Sequence, residues 1–255
     1  MTNVFLPCLI FTAIIEARIA GSEVLDLVFG TLIQIGCGFG LGYLGLRLMG
    51  LQAKRELLLP IAFVNSSNLP FPLVLANFGP DGLARAVLCY LTTSVLLFSV
   101  GNMVLNGAAR WGETIKEPTI WAAALAAVLR ALEIEPPDAV LRPVRLASTA
   151  AVPCMLFVFG DTLARTQLLA TREAITTTAL RYLTGAAALG ISLTFLRPDG
   201  MVRSILILYA LLPSAVASVI LARRANRDGA ALAAAILLAT LVSIGLLPYL
   251  LARLH

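Results

Sequence analysis

The feature that most constrains this chain is the recurrence of long stretches that contain no charged residue. Five of them approach the roughly 20 residues that a transmembrane helix needs; they span residues 27–46, 57–80, 86–109, 204–222 and 229–252. Hydrophobic residues make up 59% of the sequence and charged residues 13%, whereas soluble domains average about 25% charged residues. Shorter apolar runs lie at 1–15, 118–132, 146–160 and 182–196. The pattern predicts an all-α integral membrane protein with about nine transmembrane helices.

The scarcity of reactive side chains argues against an enzyme. The sequence has one histidine, His255, which removes Ser-His and Cys-His arrangements and most metal sites. The four cysteines lie in apolar runs without any CxxC or paired spacing: Cys8, Cys37, Cys89 and Cys154. We interpret them as free thiols rather than as disulfides or metal ligands. The composition therefore predicts no enzymatic activity, no metal and no cofactor.

The two halves of the chain contain similar motifs at a constant separation. The segment LPCLIF at 6–11 is similar to VPCMLF at 152–157, and their cysteines are 146 residues apart (154 − 8). The segment PDGLARAVL is similar to RDGAALAAA, and Asp81 and Asp228 are 147 residues apart (228 − 81). Two distant motifs that agree on the separation within one residue indicate an internal duplication.

We predict a first repeat at 1–110, with four helices, and a second at 111–255, with five. The longest connection, ALEIEPPDAVLRPVR at 131–145, is predicted as the turn near the midpoint. An odd number of spans separates the copies, so the repeats would insert in opposite orientations. The helix predicted at 118–132 has no counterpart, because subtracting 146 places its partner before Met1. This favours a true start upstream; the alternative is a natural nine-helix form whose apolar groove is covered by a lipid or a second subunit.

One stretch in the first half, AFVNSSNLPFPLVLANFG at 62–79, is too polar and too rich in proline for a simple span. The separation of 147 residues places it opposite ALLPSAVASVILARR at 210–224. A proline inside a helix removes a backbone hydrogen bond, and in lipid the freed groups must be buried in protein or line a cavity. Matched interrupted helices in two repeats point to the binding site of a secondary transporter. Half-helix N-termini at such a site favour an anionic group.

We therefore predict that two broken helices cross and bind a substrate through Asn65, Ser66, Ser67, Asn68, Pro213 and Ser214. A second interpretation stays open. In it the prolines are simple kinks, and the serine and asparagine side chains satisfy nearby backbone groups or join helices.

At these residues the chain resembles the auxin efflux carrier family of PIN-like membrane transporters, within the bile acid, arsenite and riboflavin transporter superfamily. NSSNLPFPLVLANFGPDGLARAVL at 65–88 resembles the family's fourth helix, and the segment 211–248 resembles its ninth and tenth. The resemblance implies ten helices in two inverted repeats, interleaved scaffold and transport subdomains, elevator-type alternating access and an organic-anion substrate. It places the family's carboxylate-contacting asparagine on Asn65 and its crossover proline on Pro213. Bacterial members include proposed malate and malonate carriers.

The resemblance has limits. Relatives often begin the sixth helix with Asn-Pro, whereas this chain has Glu117 and Pro118, so the resemblance does not extend to a second amide contact with a carboxylate. Asp161, near a helix end, is open to two interpretations: an interfacial residue or a proton carrier. Arg181 corresponds to Gln34 in the other repeat (181 − 34 = 147) and either reaches the membrane interface or lies between subdomains.

A glycine-rich block, GCGFGLGYLG at 36–45, superficially resembles a dinucleotide-binding loop. It lies within an apolar run and no strand precedes it, which indicates close helix packing instead.

The sequence favours a secondary-active transporter, an efflux carrier or permease, that moves a small organic anion across the cytoplasmic (inner) membrane. An anion channel and a non-transporting membrane scaffold or receptor are the alternatives. We expect coupling to a proton gradient through Asp161, with sodium as the other candidate ion. The predicted partners are the anion and the lipid bilayer, with a homodimer left open and no nucleic acid.

Basic residues in loops predict the orientation. Ten lie on one side: Arg47, Lys54, Arg55, Arg110, Lys116, Arg165, Arg172, Arg223, Arg224 and Arg227. Eight lie on the other: Arg18, Arg85, Arg130, Arg142, Arg145, Arg197, Arg203 and Arg253. The larger set predicts the cytoplasmic side, which places Met1 inside and His255 outside.

Overall fold

The computed structural model describes residues 3–17, 19–108, 111–166 and 171–253, and these residues form helices and no strand. The predicted all-α fold is confirmed. The helices are α1 (Phe5–Glu16), α2 (Gly21–Leu48), α3 (Leu58–Ala62), α4 (Pro70–Leu96), α5 (Asn102–Asn106), α6 (Trp111–Ile115), α7 (Pro118–Ala131), α8 (Asp138–Ala164), α9 (Arg172–Phe195), α10 (Gly200–Ala210), α11 (Ala217–Arg224) and α12 (Ala230–Leu251). A 3-10 turn at Arg55–Leu57 leads into α3, and a π-helical turn at Leu97–Gly101 joins α4 to α5.

Four helical segments in the described part of the chain are long and apolar enough to cross a membrane: Gly21–Leu48, Pro70–Asn106, Asp138–Ala164 and Ala230–Leu251. The shorter apolar helices α1, α7 and α10 add to them. The chain is therefore a multi-pass membrane protein. The count of about nine spans stays a prediction, because several of the predicted spans are short or interrupted helices.

Both helices that were predicted to be interrupted are interrupted. In the first half α3 ends at Ala62, the backbone becomes extended at Phe63 (φ −104, ψ 130), and α4 begins at Pro70. In the second half α10 ends at Ala210 and α11 begins at Ala217. We call residues 63–69 the first interruption and residues 211–216 the second interruption.

A further bend lies within α4. Gly79 has φ 65 and ψ −165, a conformation that glycine adopts readily and that other residues avoid. Pro80 follows and has no N–H to donate. The bend separates the short helical segment after the first interruption from the long one that continues to Asn106.

In each half of the chain, two helices precede the interrupted one. α1, α2, α3 and α4 precede α7, and α8, α9, α10 and the pair α11–α12 follow it. Gly38 on α2 and Gly185 on α9, which are 147 residues apart, each pack against the end of the interrupted helix of their own half, at Ala62 and Ala210. The repeat boundaries and the opposite orientation stay predictions.

The glycine-rich block at 36–45 packs closely against neighbouring helices, as predicted. A Cβ atom added at Gly38 would overlap the backbone of Ala62, and one at Gly42 would lie 2.7 Å from Ile61 Cγ2. Gly45 lies against Leu180 of α9 in the same way. The absence of side chains on this face therefore lets α2 approach α3 and α9.

The connection predicted at 131–145 is shorter than expected, because α8 begins at Asp138. Pro137 precedes the helix with ψ 145, and Asp138 places a carboxylate in the first turn, where the helix dipole favours it. Pro143 lies inside α8, where it removes one backbone hydrogen bond without ending the helix. The prediction of a turn was therefore wrong for residues 138–145.

Arg85, which the orientation argument treated as a loop residue, lies inside α4. Its Nη2 pairs with Glu23 of α2 at 2.6 Å, and its Nη1 donates to Asp81 O at 3.0 Å. The assignment of Arg85 to a loop was wrong, because the helix resumes directly after the bend at Gly79. It was also wrong for the other basic residues that lie within helices: Arg47, Arg130, Arg142, Arg145, Arg172, Arg203, Arg223 and Arg224. Four other residues of the orientation argument lie outside the described residues: Met1, Arg18, Arg110 and His255.

The helices form two packed groups that meet at α4. α1, α7 and α8 pack around Phe11, Ala126 and Leu141. α2, α3, α9, α10 and α12 form the other group and carry the two interruptions. α4 contacts both, and its Phe71 joins a core that includes Met155 of α8. The interruptions thus lie in one group, next to the helix that links it to the other.

Candidate functional site at the crossing of two interrupted helices

The two interruptions meet and hydrogen-bond to each other through their backbones. Val64 and Ser214 form an isolated antiparallel bridge. Asn65 N donates to Pro213 O at 2.8 Å, and Ala215 N donates to Phe63 O at 2.9 Å. These bonds satisfy backbone groups that the broken helices leave free, as a low-dielectric environment requires. The predicted crossing is therefore present.

Asn65 holds the most distinctive side chain at the crossing. The residue is 4% exposed, and its Oδ1 accepts a hydrogen bond from Asn68 N at 3.2 Å. Its Nδ2 is buried and has no hydrogen-bond partner. Because a backbone N–H can only donate, the bond from Asn68 fixes which end of the amide is oxygen. The free end is therefore a donor, and leaving it unpaired costs about 1–3 kcal/mol.

The residues that follow Asn65 in the first interruption are less enclosed than Asn65. Ser66 is buried, whereas Ser67 and Asn68 are half-buried. The α4 helix begins directly behind them, and Pro70 and Pro72 contribute no N–H groups to its first turn. An anion at this helix terminus would therefore rely on side-chain donors more than on backbone ones.

Pro213 and Ser214 of the second interruption are buried, and the Pro213 carbonyl and the Ser214 hydroxyl already have hydrogen-bond partners within the protein. Pro213 O accepts from Asn65 N, and Ser214 Oγ donates to Pro60 O at 2.6 Å. The hydroxyl of Ser214 thus satisfies a carbonyl near the end of α3. This contact fits the second interpretation of the sequence, in which serine satisfies nearby backbone, and the predicted role of Ser214 in substrate binding stays untested.

Tyr209, which was not predicted from the sequence as a site residue, joins the two halves through its hydroxyl group. Its hydroxyl lies 3.0 Å from Ser66 O and 2.9 Å from Ala86 O, both of which can accept its hydrogen bond. The sequence did contain a signal for this role: a tyrosine four residues before Pro213, near the end of an apolar half-helix. A buried tyrosine hydroxyl requires a hydrogen-bond partner.

Arg181 and Gln34 converge on the end of α10. Gln34 Nε2 donates to Tyr209 O at 2.9 Å. Arg181 Nη2 lies 3.3 Å from the same oxygen and 3.1 Å from Ala210 O. Arg181 is 0% exposed, so its guanidinium lies within the protein and does not reach the membrane interface.

Asp161 lies apart from the crossing. It is exposed in the last turn of α8, and its Oδ1 pairs with Arg165 Nε at 2.8 Å. This placement fits the interfacial interpretation of the sequence. A role in proton coupling stays a prediction.

A cavity of about 400 Å³ lies between α1, α4 and α8. Thr12, Thr149 and Val152 line it, together with Pro80 and Asp81 at the bend of α4. The predicted site residues are not among its lining residues. The cavity therefore adjoins the boundary between the two helix groups rather than the free amide of Asn65.

Interrupted helices that cross inside a multi-pass membrane protein are a feature of membrane transporters. The family model described as "Membrane transport protein" matches residues 102–251, more than half of the chain. The chain belongs to this membrane transport protein family. It is also 28% identical over 258 residues to an uncharacterized transporter of Methanothermobacter thermautotrophicus, an alignment that covers 96% of this chain and 84% of the relative.

Proposed function

We propose that this transporter is a secondary-active carrier for a small organic anion, such as a carboxylate, in the cytoplasmic membrane. The resemblance to auxin efflux carriers supports this class of substrate. The observation that carries the proposal is the free Nδ2 of Asn65, a buried donor at the crossing. An oxygen of an anionic ligand would complete its hydrogen bonding, and hydrogen bonds to a charged group contribute about 1.5–3 kcal/mol.

The surroundings of Asn65 favour an acceptor over a donor. Asn68 N occupies the oxygen end of the amide, so only the N–H₂ end is free. The N-terminus of α4 adds positive partial charge beside it. Both groups would repel a cation and attract an anion.

We further propose that transport follows an elevator mechanism. The helices that carry the interruptions pack with α2, α9 and α12, while α1, α7 and α8 form a separate group. α4 and the 400 Å³ cavity lie along the boundary between these groups. Movement of one group past the other would carry the crossing across the membrane without dismantling its backbone bonds.

Uptake by the purified protein in proteoliposomes tests the proposal. The panel comprises dicarboxylates such as malate and malonate, indole acids and amino acids. Saturable, gradient-coupled uptake of an anion supports a carrier, unsaturable flux indicates a channel, and no flux of any compound indicates a scaffold or receptor.

The variant Asp161→Asn tests proton coupling. If its uptake responds to a pH gradient as wild-type uptake does, the carboxylate of Asp161 is not the proton carrier.

Asn65→Ala is the decisive variant, and Asn102→Ala is its matched control. Asn102 is also buried, but its Nδ2 donates to Phe98 O at 2.6 Å in the adjoining π-helical turn. We expect Asn65→Ala to weaken apparent affinity roughly ten- to a hundredfold, with Asn102→Ala close to wild type. Equal effects of the two substitutions would reject Asn65 as the substrate contact.

A further inference from the structure

Arg181 is buried completely in the middle of α9, yet no carboxylate pairs with it among the described residues. Its Nη2 approaches only backbone carbonyls, at Tyr209 and Ala210, and its Nε has no hydrogen-bond partner. A buried charge in a membrane protein is costly and is retained where it serves a function. The charge therefore requires an explanation beyond packing.

The opposite charge near Arg181 comes from the backbone. α10 ends at Ala210, and the second interruption removes the next turn that would have used its last carbonyls. These carbonyls carry the partial negative charge of the helix dipole. Arg181 thus places a full positive charge on the carbonyl end of an interrupted helix.

Gln34 shows that hydrogen bonding at this position does not require a charge. It occupies the position that corresponds to Arg181 in the other half, and its neutral amide donates to the same Tyr209 oxygen at 2.9 Å. A neutral side chain can therefore satisfy such a carbonyl. What Arg181 adds is the charge itself.

Carbonyls at the ends of interrupted helices are the groups that coordinate coupling sodium ions in several carriers. We propose that the guanidinium of Arg181 is a built-in cation at the crossing, in the position of such an ion. It makes transport independent of sodium and raises the affinity of the nearby site for an anion. The inference rests on the proposed anion transport.

The contacts connect this cation to the first interruption. Arg181 binds the carbonyl of Tyr209, and the hydroxyl of the same tyrosine reaches Ser66 O, next to Asn65. The guanidinium does not touch the substrate site, so Arg181 is a positioning residue. Its charge acts through the low-dielectric interior, where Coulomb interactions are stronger than in water.

Removal of the side chain would leave room for a free cation. A void of about 10 Å³, lined by Gln34, Ser192 and Ala210, already adjoins the end of α10. Arg181→Ala would vacate the space now filled by the guanidinium and leave the carbonyls of Tyr209 and Ala210 without it. Guanidinium is the matched probe, and urea is a control of similar shape without charge.

The first test uses transport of whichever panel anion the wild-type protein takes up. Wild-type uptake should be equal in sodium chloride and choline chloride, and uptake that requires sodium would overturn the inference. Arg181→Gln should weaken affinity for the anion about tenfold, whereas Arg181→Lys, which keeps the charge, should stay closer to wild type. Wild-type affinity in Arg181→Gln would also overturn it.

The second test does not depend on transport, which separates failure of this inference from failure of the proposed function. The thermal midpoint of detergent-purified Arg181→Ala should rise with millimolar guanidinium chloride and not with urea or choline chloride. Wild type should show no such rise. No selective rise in Arg181→Ala would contradict a cation site at the carbonyls; if this variant does not fold, the Arg181→Gln and Arg181→Lys comparison decides.

Discussion

The two interruptions occupy equivalent places in the two halves but differ in what they leave unpaired. In the second, Ser214 Oγ donates to Pro60 O, and the carbonyl of Leu211 accepts from Ser243 Oγ at 3.0 Å. In the first, Asn65 keeps a free donor and Ser67 is half-exposed. One interruption is sealed by internal hydrogen bonds, and the other is left incomplete. Similar backbone breaks therefore divide into a structural support and a candidate binding surface.

The charge distribution follows the same division. Arg181 places its guanidinium on the end of α10, while the position that corresponds to it in the first half carries the neutral Gln34. Gln34 itself reaches across to α10 rather than to α3. Both residues thus support the second interruption. The helices α2 and α9 each direct a polar side chain to the same end of α10.

The largest expected effect comes from the glycines that let α2 and α9 approach the two breaks. A Cβ atom at Gly38 or Gly185 would overlap backbone atoms of Ala62 or Ala210, which cannot move aside cheaply. We expect Gly38→Ala and Gly185→Ala each to lower the free energy of unfolding by about 1–3 kcal/mol or more, seen as a lower thermal midpoint in detergent.

Gly36 is the matched control for this pair, because nothing lies within 4 Å of a Cβ atom added there. Gly36→Ala should be neutral or stabilising by up to about 1 kcal/mol, since alanine favours helix. Similar losses at all three glycines would show that close approach at the breaks is not special.

Removal of the Tyr209 hydroxyl should have the next largest effect. Tyr209→Phe leaves the carbonyls of Ser66 and Ala86 without that donor, which costs about 1–3 kcal/mol. Tyr249→Phe is the control, because Tyr249 is 62% exposed. A thermal midpoint that drops equally in both variants, or in neither, would contradict the bridging role of Tyr209.

Ser67 and Ser214 are 147 residues apart and provide a direct comparison of the two interruptions. Ser214→Ala removes a buried donor to Pro60 O and should lower stability by about 1 kcal/mol with little change in anion affinity. Ser67→Ala should do the reverse, because Ser67 is half-exposed beside Asn65. Thermal midpoints and uptake kinetics of both variants check this, and the opposite pattern would exchange the proposed roles.

The smallest effect is expected far from the crossing. Lys54 and Glu173 form an ion pair at 3.0 Å, and the Lys54 side chain is 44% exposed. The hydrogen bond to Glu173 raises the pKa of Lys54 above its usual 10.5. The pair therefore contributes fully at neutral pH, and the contribution is lost as pH rises through that raised pKa.

Lys54→Ala should leave the thermal midpoint at pH 7 unchanged within error, because exposed ion pairs contribute little. Uptake should also be unaffected. A loss as large as that of Ser214→Ala would mean that the loop before α3 holds the first interruption in place.

The sequence predicted the interruptions because their physical requirement is local. Prolines and polar residues within an apolar run leave free backbone groups, and in lipid such groups must find partners. The fate of individual side chains was not predictable in this way. Ser214 donates to a carbonyl 154 residues away. The hydroxyl of Tyr209 likewise reaches the carbonyl of Ser66, which is also distant in the sequence. Whether a given hydroxyl is hydrogen-bonded or left free depends on how the helices pack.

The charged residues show the same limit. Asp161 was a candidate for proton coupling because it is an acidic residue near the end of a predicted membrane helix, but it lies exposed and pairs with Arg165 one turn away. Arg181 received no role, although it lies at the crossing. Hydropathy alone does not distinguish a charge at a helix end from one buried against a broken helix, because the difference lies in tertiary contacts.

Cysteine accessibility tests the difference between the two interruptions most directly. The four native cysteines, all free thiols, are replaced, and single cysteines are introduced as Ser67→Cys and Ser214→Cys. A water-soluble methanethiosulfonate reagent should modify the first variant, and the transported anion should slow that reaction, while the second should stay unmodified in the folded protein. Equal modification of both variants, or modification of Ser214→Cys alone, would contradict an open first interruption beside a sealed second one.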